Sequence, residues 1–95
     1  MDIVRVFGSN LKKFRTAMGL SQEAFAEKCG LHRTYISAIE CYRRSIALEN
    51  VQRIADALEI EPYKLFLEKN KDVGKDQSHI VTAQRKSKRY YFKGN

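Results

Sequence analysis

The segment from residue 21 to residue 40 constrains the fold more than any other part of this 95-residue chain. Counted from Gln22 as the first position, the fifth position is the small Ala26 and the ninth is Gly30. The core-type offsets carry apolar or thiol side chains: Phe25, Cys29, Leu31, Ile36 and Ile39. Two short helices that cross steeply around a tight turn need a small side chain at the crossing and a glycine at the turn. The spacing therefore predicts a helix-turn-helix over about residues 21–40, whereas an ordinary helical hairpin would not need both residues.

Helical periodicity on both sides of this motif predicts an all-α domain. A first helix, which ends near Gly19, carries apolar residues at three- and four-residue steps: Ile3, Phe7, Leu11, Phe14 and Met18. Ser21 is a suitable N-cap for the second helix, and the third runs from about His32 to Glu40. A fourth helix carries Leu48, Val51, Ile54, Ala55 and Leu58. Pro62 suits the start of a short fifth helix, so we expect a compact five-helix domain over residues 1–69.

The positive charge of the chain is concentrated at its C-terminal end. The formal net charge is +7, which favours a polyanionic partner, either nucleic acid or an acidic membrane surface. Residues 1–69, however, carry eleven basic residues against nine acidic ones, whereas residues 70–95 carry seven against two. Evidence that the globular part binds DNA must therefore come from the motif.

Several classes of function find no support in the sequence. No apolar run is long enough to span a bilayer, and the N-terminus lacks the apolar region of a signal peptide, so we expect a cytoplasmic protein with no membrane partner. Cys29 and Cys41 have no ligand-spaced companions and suggest structural thiols without a metal. The two histidines, His32 and His79, have no paired nucleophile or ligand set. We therefore expect neither catalysis nor a cofactor.

Residues 10–69 resemble the phage-repressor type (Cro and xenobiotic-response-element type) of helix-turn-helix domain. The segments that carry the resemblance are NLKKFRTAMGLSQEAFAEKCGLHRTYISAIE and IALENVQRIADALEIEPYKLF. The segment HRTYISAIE, followed by RRSIALENV, is also similar to the corresponding part of restriction–modification controller proteins. The resemblance implies a five-helix domain that binds DNA as a dimer and acts as a repressor or activator. Family members often have Gly at the position of Tyr42 and Pro near Ala47, so we expect the connection here to take another path or to carry strain.

A DNA-binding role assigns functions to the third helix and its surroundings. The third helix would enter the major groove and present its N-terminal side chains to the bases. The predicted base contacts are His32, Arg33, Thr34, Ser37 and Ala38. The predicted phosphate contacts are Gln22, Tyr35, Arg43 and Arg44.

Each assignment has an alternative that requires no DNA. His32 could be only a turn residue, the ring of Tyr35 could serve packing, and both arginines could be merely solvated. Glu40 is better explained as a structural partner of a basic side chain, either Arg15 or Arg44, than as a base reader.

The last part of the domain predicts a surface for self-association. One helix face cannot bury all three consecutive apolar residues at 65–67, so at least one of them should point outward near Tyr63. We therefore predict a homodimer interface that contains Tyr63, Leu65 and Phe66. Alternatively, the C-terminal segment could fold back over this patch.

The C-terminal 26 residues leave the function partly open. Residues 70–77 suggest a linker, and residues 78–95 form a basic, aromatic extension that could be a docking arm or a solubilising tail. The leading hypothesis is a homodimeric transcriptional regulator that binds a two-fold-symmetric double-stranded DNA operator and resembles the restriction–modification controllers. The alternatives are a bridging-type adaptor or an antitoxin that binds a protein partner through residues 78–95.

Overall fold

A computed structural model describes residues 1–68 of the chain, which form four α-helices and a short 3-10 helix. The helices are α1 (Ile3–Ala17), α2 (Gln22–Cys29), α3 (Arg33–Glu40), α4 (Leu48–Leu58) and the 3-10 helix (Pro62–Phe66). Within this range there is no strand, and no helix is long and apolar enough to cross a membrane. The all-α prediction is therefore confirmed, whereas the predicted fifth α-helix is a 3-10 helix. The proposed linker and basic extension lie outside the described residues.

The core forms where α1, α4 and the 3-10 helix pack around the two helices of the helix-turn-helix, α2 and α3. The largest fully buried side chains are Phe25, Leu11, Ile36, Ile39, Ile54 and Leu65. Ala26 is buried at the predicted crossing of α2 and α3, and Gly30 has a φ of 75° at the turn between them. Ile3 and Leu48 continue the apolar periodicity of α1 and α4 but are exposed, because each lies in the first turn of its helix.

All four α-helices end with one hydrogen-bonding pattern. A residue with positive φ donates its N–H to the carbonyl three residues back, and the next N–H donates to the carbonyl five residues back. The residues with positive φ are Gly19, Gly30, Tyr42 and Glu59. Two of the four ends therefore use a side-chain-bearing residue in a conformation that glycine adopts at least cost.

Tyr42 holds its left-handed conformation (φ 65°) with contacts to α1. Its hydroxyl lies 2.9 Å from Oγ of Ser9, and the guanidinium of Arg5 lies 4.6 Å from the centre of its ring. Gly8 makes this packing possible, because a Cβ there would collide with the carbonyl oxygen of Ile39. The connection therefore keeps the left-handed turn without glycine, and the contacts of the tyrosine with α1 offset the cost of its positive φ.

A buried ion pair joins α1 to the end of α3. Arg15 donates from Nε to Oε2 of Glu40 (2.7 Å) and from Nη2 to Oε1 (2.9 Å), and both side chains are almost fully buried. Arg15 Nη1 also donates to the carbonyl of Leu20 (2.6 Å), and Nε2 of Gln22 donates to Oε1 of Glu40 (3.0 Å). The prediction that Glu40 is a structural partner is confirmed, with Arg15 as the partner.

The 3-10 helix corrects the predicted self-association surface. Leu65 is 0% exposed and belongs to the core, so its assignment to a dimer interface was wrong. Nδ2 of Asn10 anchors the segment to α1 by donating to the carbonyls of Leu65 (2.9 Å) and Leu67 (2.8 Å). Phe66 is half-buried and its ring packs on Phe7, with ring centres 5.3 Å apart. A 3-10 helix turns by about 120° per residue, so neighbouring side chains diverge, and the expected outward side chains are Tyr63 (58% exposed) and Leu67 (39%).

Glu40→Gln should lower the free energy of unfolding by about 3–5 kcal/mol, because it leaves the Arg15 charge buried without its counterion. Urea unfolding followed by circular dichroism measures this change. The double variant Arg15→Met/Glu40→Leu should regain most of the lost stability, and Glu49→Gln on the surface of α4 is the matched control. A cost below about 1 kcal/mol for Glu40→Gln would contradict the role given to the ion pair.

Glu59→Gly should raise the free energy of unfolding by about 0.5–1 kcal/mol, because glycine relieves the positive φ at the end of α4 (61°). The lost ion pair with Lys28 (3.7 Å) is exposed and adds little. Glu59→Ala removes the same ion pair while keeping a Cβ, so it should not stabilise the domain. Equal stabilities of the glycine and alanine variants in thermal unfolding would count against this account.

Candidate nucleic-acid interface

Four of the five predicted base-contact residues share one side of α3, and the fifth, His32, lies just before the helix. His32 is the N-cap but its ring makes no capping hydrogen bond, and Arg33 and Thr34 follow it as exposed side chains. Ser37 and Ala38 are half-buried one turn further along. Residues four apart lie above one another on a helix, so the last four of these positions form a single outward stripe opposite the buried Ile36 and Ile39.

The basic side chains at and just after α3 are three arginines without an acidic partner in the described residues. Arg33, Arg43 and Arg44 are exposed, and no carboxylate within residues 1–68 forms an ion pair with any of them. Between residues 28 and 48 the only acidic residue is Glu40, which is buried and neutralised by Arg15. The exposed charged side chains between residues 28 and 48 are therefore all basic, although the domain as a whole is nearly neutral.

Gln22 lies at the start of α2, where Ser21 accepts a hydrogen bond from the N–H of Ala24 (3.0 Å) as its N-cap. The carboxylate of Glu40 can only accept hydrogen bonds, so it holds the Gln22 side chain with its amide nitrogen toward the end of α3. The predicted phosphate contact is therefore also tied to the buried ion pair. The spacing of the motif gave no signal of this second role.

Tyr35 connects α3, the following loop and α4. Its hydroxyl accepts a hydrogen bond from Nδ2 of Asn50 (3.0 Å), and the guanidinium of Arg44 lies 5.2 Å from the centre of its ring. An open groove of about 660 Å³ adjoins them and is lined by Gly30, Leu31, His32, Thr34, Tyr35, Arg44 and Asn50. Sequence reasoning missed Asn50, because its contact with Tyr35 depends on how α4 packs beside α3.

The thiols do not extend the site. Burial raises the pKa of the Cys29 thiol to about 11, so it is protonated at neutral pH and acts as a core side chain. Cys41 is exposed at the end of α3. Within residues 1–68 no cluster of three histidine, cysteine or acidic side chains could hold a metal ion.

Comparison with known proteins places this geometry in a family. A family model described as helix-turn-helix matches residues 11–65, which is more than half of the chain. The chain is 46% identical over 66 residues to a hypothetical transcription factor of Neisseria meningitidis serogroup B (strain ATCC BAA-335 / MC58), covering 70% of this chain and 62% of that protein's length. It is 41% identical over 66 residues to control protein C.BamHI of Bacillus amyloliquefaciens, covering 68% and 82% of the two chains.

A solved structure shows the same fold. The crystal structure of the restriction–modification controller protein C.AhdI from Aeromonas hydrophila superposes with a TM-score of 0.64 at 44% sequence identity. The match covers 66% of this chain and 91% of that one. The sequence resemblance noted above is therefore confirmed over the helix-turn-helix and the helices that support it, and the chain belongs to the helix-turn-helix family.

Proposed function

We propose that this chain is a sequence-specific transcriptional regulator that binds double-stranded DNA as a homodimer in the cytoplasm. The observation that carries the proposal is the outward stripe of α3, where exposed Arg33 and Thr34 lie on a helix anchored by a buried ion pair. No exposed carboxylate interrupts the surface between residues 28 and 48. The relatives reported above are described as a transcription factor and control proteins and not as enzymes.

Side chains in the first turns of α3 would contact the bases. The major groove of B-DNA, about 12 Å wide, admits a helix with its N-terminal side chains toward the base edges. The Arg33 guanidinium matches O6 and N7 of guanine as a bidentate donor, and Thr34 offers a hydroxyl and a methyl group. His32 and Ser37 can donate to base edges, and Ala38 can contact a thymine methyl group.

The residues assigned to phosphate binding lie at the start of α2, on α3 and in the connection that follows α3. Gln22 lies at the N-terminus of α2, where the helix dipole favours an anion. Tyr35 lies on α3, and Arg43 and Arg44 lie in the connection from α3 to α4. These contacts would fix the register of α3 in the groove without reading sequence.

Dimerisation would bring two copies of α3 to half-sites one helical turn, ~34 Å, apart. The best-supported surface is the exposed part of the 3-10 helix with the residue after it, Tyr63 and Leu67. The half-buried Phe66 joins this surface to an apolar groove of about 170 Å³ that also includes Ile3 and Leu48. Contiguous exposed apolar area of this kind marks an association surface on a small domain.

A regulator of a restriction–modification locus is the finer form of this proposal. It rests on the similarity to control protein C.BamHI and to the restriction–modification controller C.AhdI. The adaptor and antitoxin hypotheses depend on residues 78–95, which lie outside the described residues, and no observation within residues 1–68 favours them.

Arg33→Ala should relax the base preference at one position of each half-site and weaken specific binding by about 1–3 kcal/mol, because the bidentate pair is lost. Site selection from a random duplex library, run on wild type and variant, measures both effects, and wild type should enrich a two-fold-symmetric motif. Arg33→Lys keeps the charge but not the planar fork, so it should also lose discrimination. Gln22→Ala and Arg43→Ala should weaken binding to all DNA sequences equally.

The regulator proposal fails if wild type enriches no motif at moderate salt. If the Arg33→Ala protein still discriminated fully between DNA sequences, only the assignment of Arg33 as a base contact would be wrong.

Tyr63→Glu and Leu67→Glu should shift the protein from dimer to monomer, because each places a charge in the proposed apolar contact. Sedimentation equilibrium measures the change, and circular dichroism checks that the helices remain. Met18→Glu is the matched control, because Met18 is 38% exposed and Leu67 is 39% exposed. Met18 follows the C-terminal end of α1, whereas Phe7, which packs on Phe66 of the 3-10 helix, lies toward the N-terminal end. A wild type that stays monomeric at high concentration, or a dimer that survives both substitutions, would contradict this interface.

A further inference from the structure

We propose that Asn50, Tyr35 and Arg44 form one preorganised site for a single DNA phosphate, in which Asn50 is a positioning residue for the tyrosine hydroxyl. The inference rests on the proposed function and adds α4 to the DNA-binding surface. Three elements meet at this site: Tyr35 comes from α3, Arg44 from the connection and Asn50 from the first turn of α4. All three line the open groove beside the N-terminus of α3.

The direction of the Asn50–Tyr35 hydrogen bond decides where the tyrosine proton goes. A phenolic hydroxyl has one proton to donate and lone pairs with which to accept. The hydroxyl oxygen of Tyr35 accepts a hydrogen bond from Nδ2 of Asn50 (3.0 Å), so the hydroxyl proton is left for another acceptor. No side chain or backbone carbonyl in the described part of the chain accepts it. The groove thus holds an O–H donor whose orientation is set by its neighbour.

Arg44 supplies the charge that selects an anion at the same place. Its guanidinium lies over the Tyr35 ring, 5.2 Å from the ring centre, and it has no carboxylate partner in residues 1–68. Stacking of a planar guanidinium on an aromatic face limits its motion and leaves the N–H groups at its edge for a ligand. A neutral hydroxyl donor beside an unpaired cation matches the oxygens of a phosphodiester. Because these contacts carry no base information, the site should strengthen binding to all duplex sequences.

The central test is a double-mutant cycle on binding to a mixed-sequence DNA duplex. Tyr35→Phe should raise Kd roughly tenfold, because one hydrogen bond to a charged group is lost. Asn50→Ala should also raise Kd in the wild-type background, but by less than about twofold in the Tyr35→Phe background, because Asn50 acts through the hydroxyl. Urea unfolding of each variant separates this coupling from a loss of stability. Additive effects of the two substitutions would overturn the proposal.

Asn50→Asp tests the direction of the hydrogen bond. Aspartate can only accept, so it would draw the Tyr35 proton away from the groove and place a negative charge where the phosphate should bind. Its Kd should therefore rise more than that of Asn50→Ala. Gln52→Asp is the matched control, because it adds the same charge to an exposed position of α4 outside the groove and should change Kd by less than about twofold. Wild-type affinity in the Asn50→Asp protein would refute the site.

Arg44→Ala provides an independent measure of the charge at this site. It should lower the slope of log Kd against log salt concentration by about one for each phosphate contact removed, whereas Tyr35→Phe should leave the slope unchanged. An unchanged slope in the Arg44→Ala protein would exclude Arg44 from a phosphate contact and with it the proposed site. If wild type itself binds no duplex at low salt, the proposed function fails. If wild type binds the duplex but the double-mutant cycle is additive, the three-residue site is overturned while the proposed function stands.

Discussion

The ion pair between Arg15 and Glu40 determines how the outward stripe of α3 is presented. Two parallel hydrogen bonds fix the end of α3 against α1, and their near-complete burial excludes water that would otherwise screen them. A buried pair of this kind adds little net stability compared with apolar packing, yet removal of either partner is costly. Its contribution is therefore geometric, because it ties the last turn of α3 to α1.

The same carboxylate joins the two helices of the motif. Glu40 accepts from Gln22 at the start of α2 as well as from Arg15, so α1, α2 and α3 meet at one acid. A phosphate bound at Gln22 would then contact a side chain whose position is already fixed. Preorganisation of this type lowers the ordering cost of binding.

The exit from α3 depends on a close approach of backbones. Gly8 admits the carbonyl of Ile39, and the ring of Tyr42 packs beside it while its hydroxyl meets Ser9. Arg43 and Arg44 follow immediately, so the left-handed turn at Tyr42 decides where both cations emerge. A tyrosine at this position can therefore replace the expected glycine without loss of the turn. Such a substitution is tolerated only where neighbouring contacts offset the cost of positive φ.

Distribution of charge matters more here than its total. The chain carries a net charge of +7, but most of that excess lies in residues 70–95. Between residues 28 and 48 the exposed charged side chains are all basic, because the single acidic residue there is buried. Three arginines in this range remain exposed and unpaired with carboxylates in the described residues. Composition alone could not have located this surface.

The amino-acid sequence by itself determined the features that depend on neighbours within about one helical turn. These are the small Ala26 at the crossing, Gly30 at the turn, the Ser21 cap and the outward stripe of α3, because helical periodicity and caps are local. Only the tertiary structure decided that Leu65 lies in the core, that Tyr42 adopts a positive φ and that Asn50 meets Tyr35. Each of these depends on residues far apart in the chain or on packing between helices, and no local pattern specifies which of several apolar or polar side chains will meet.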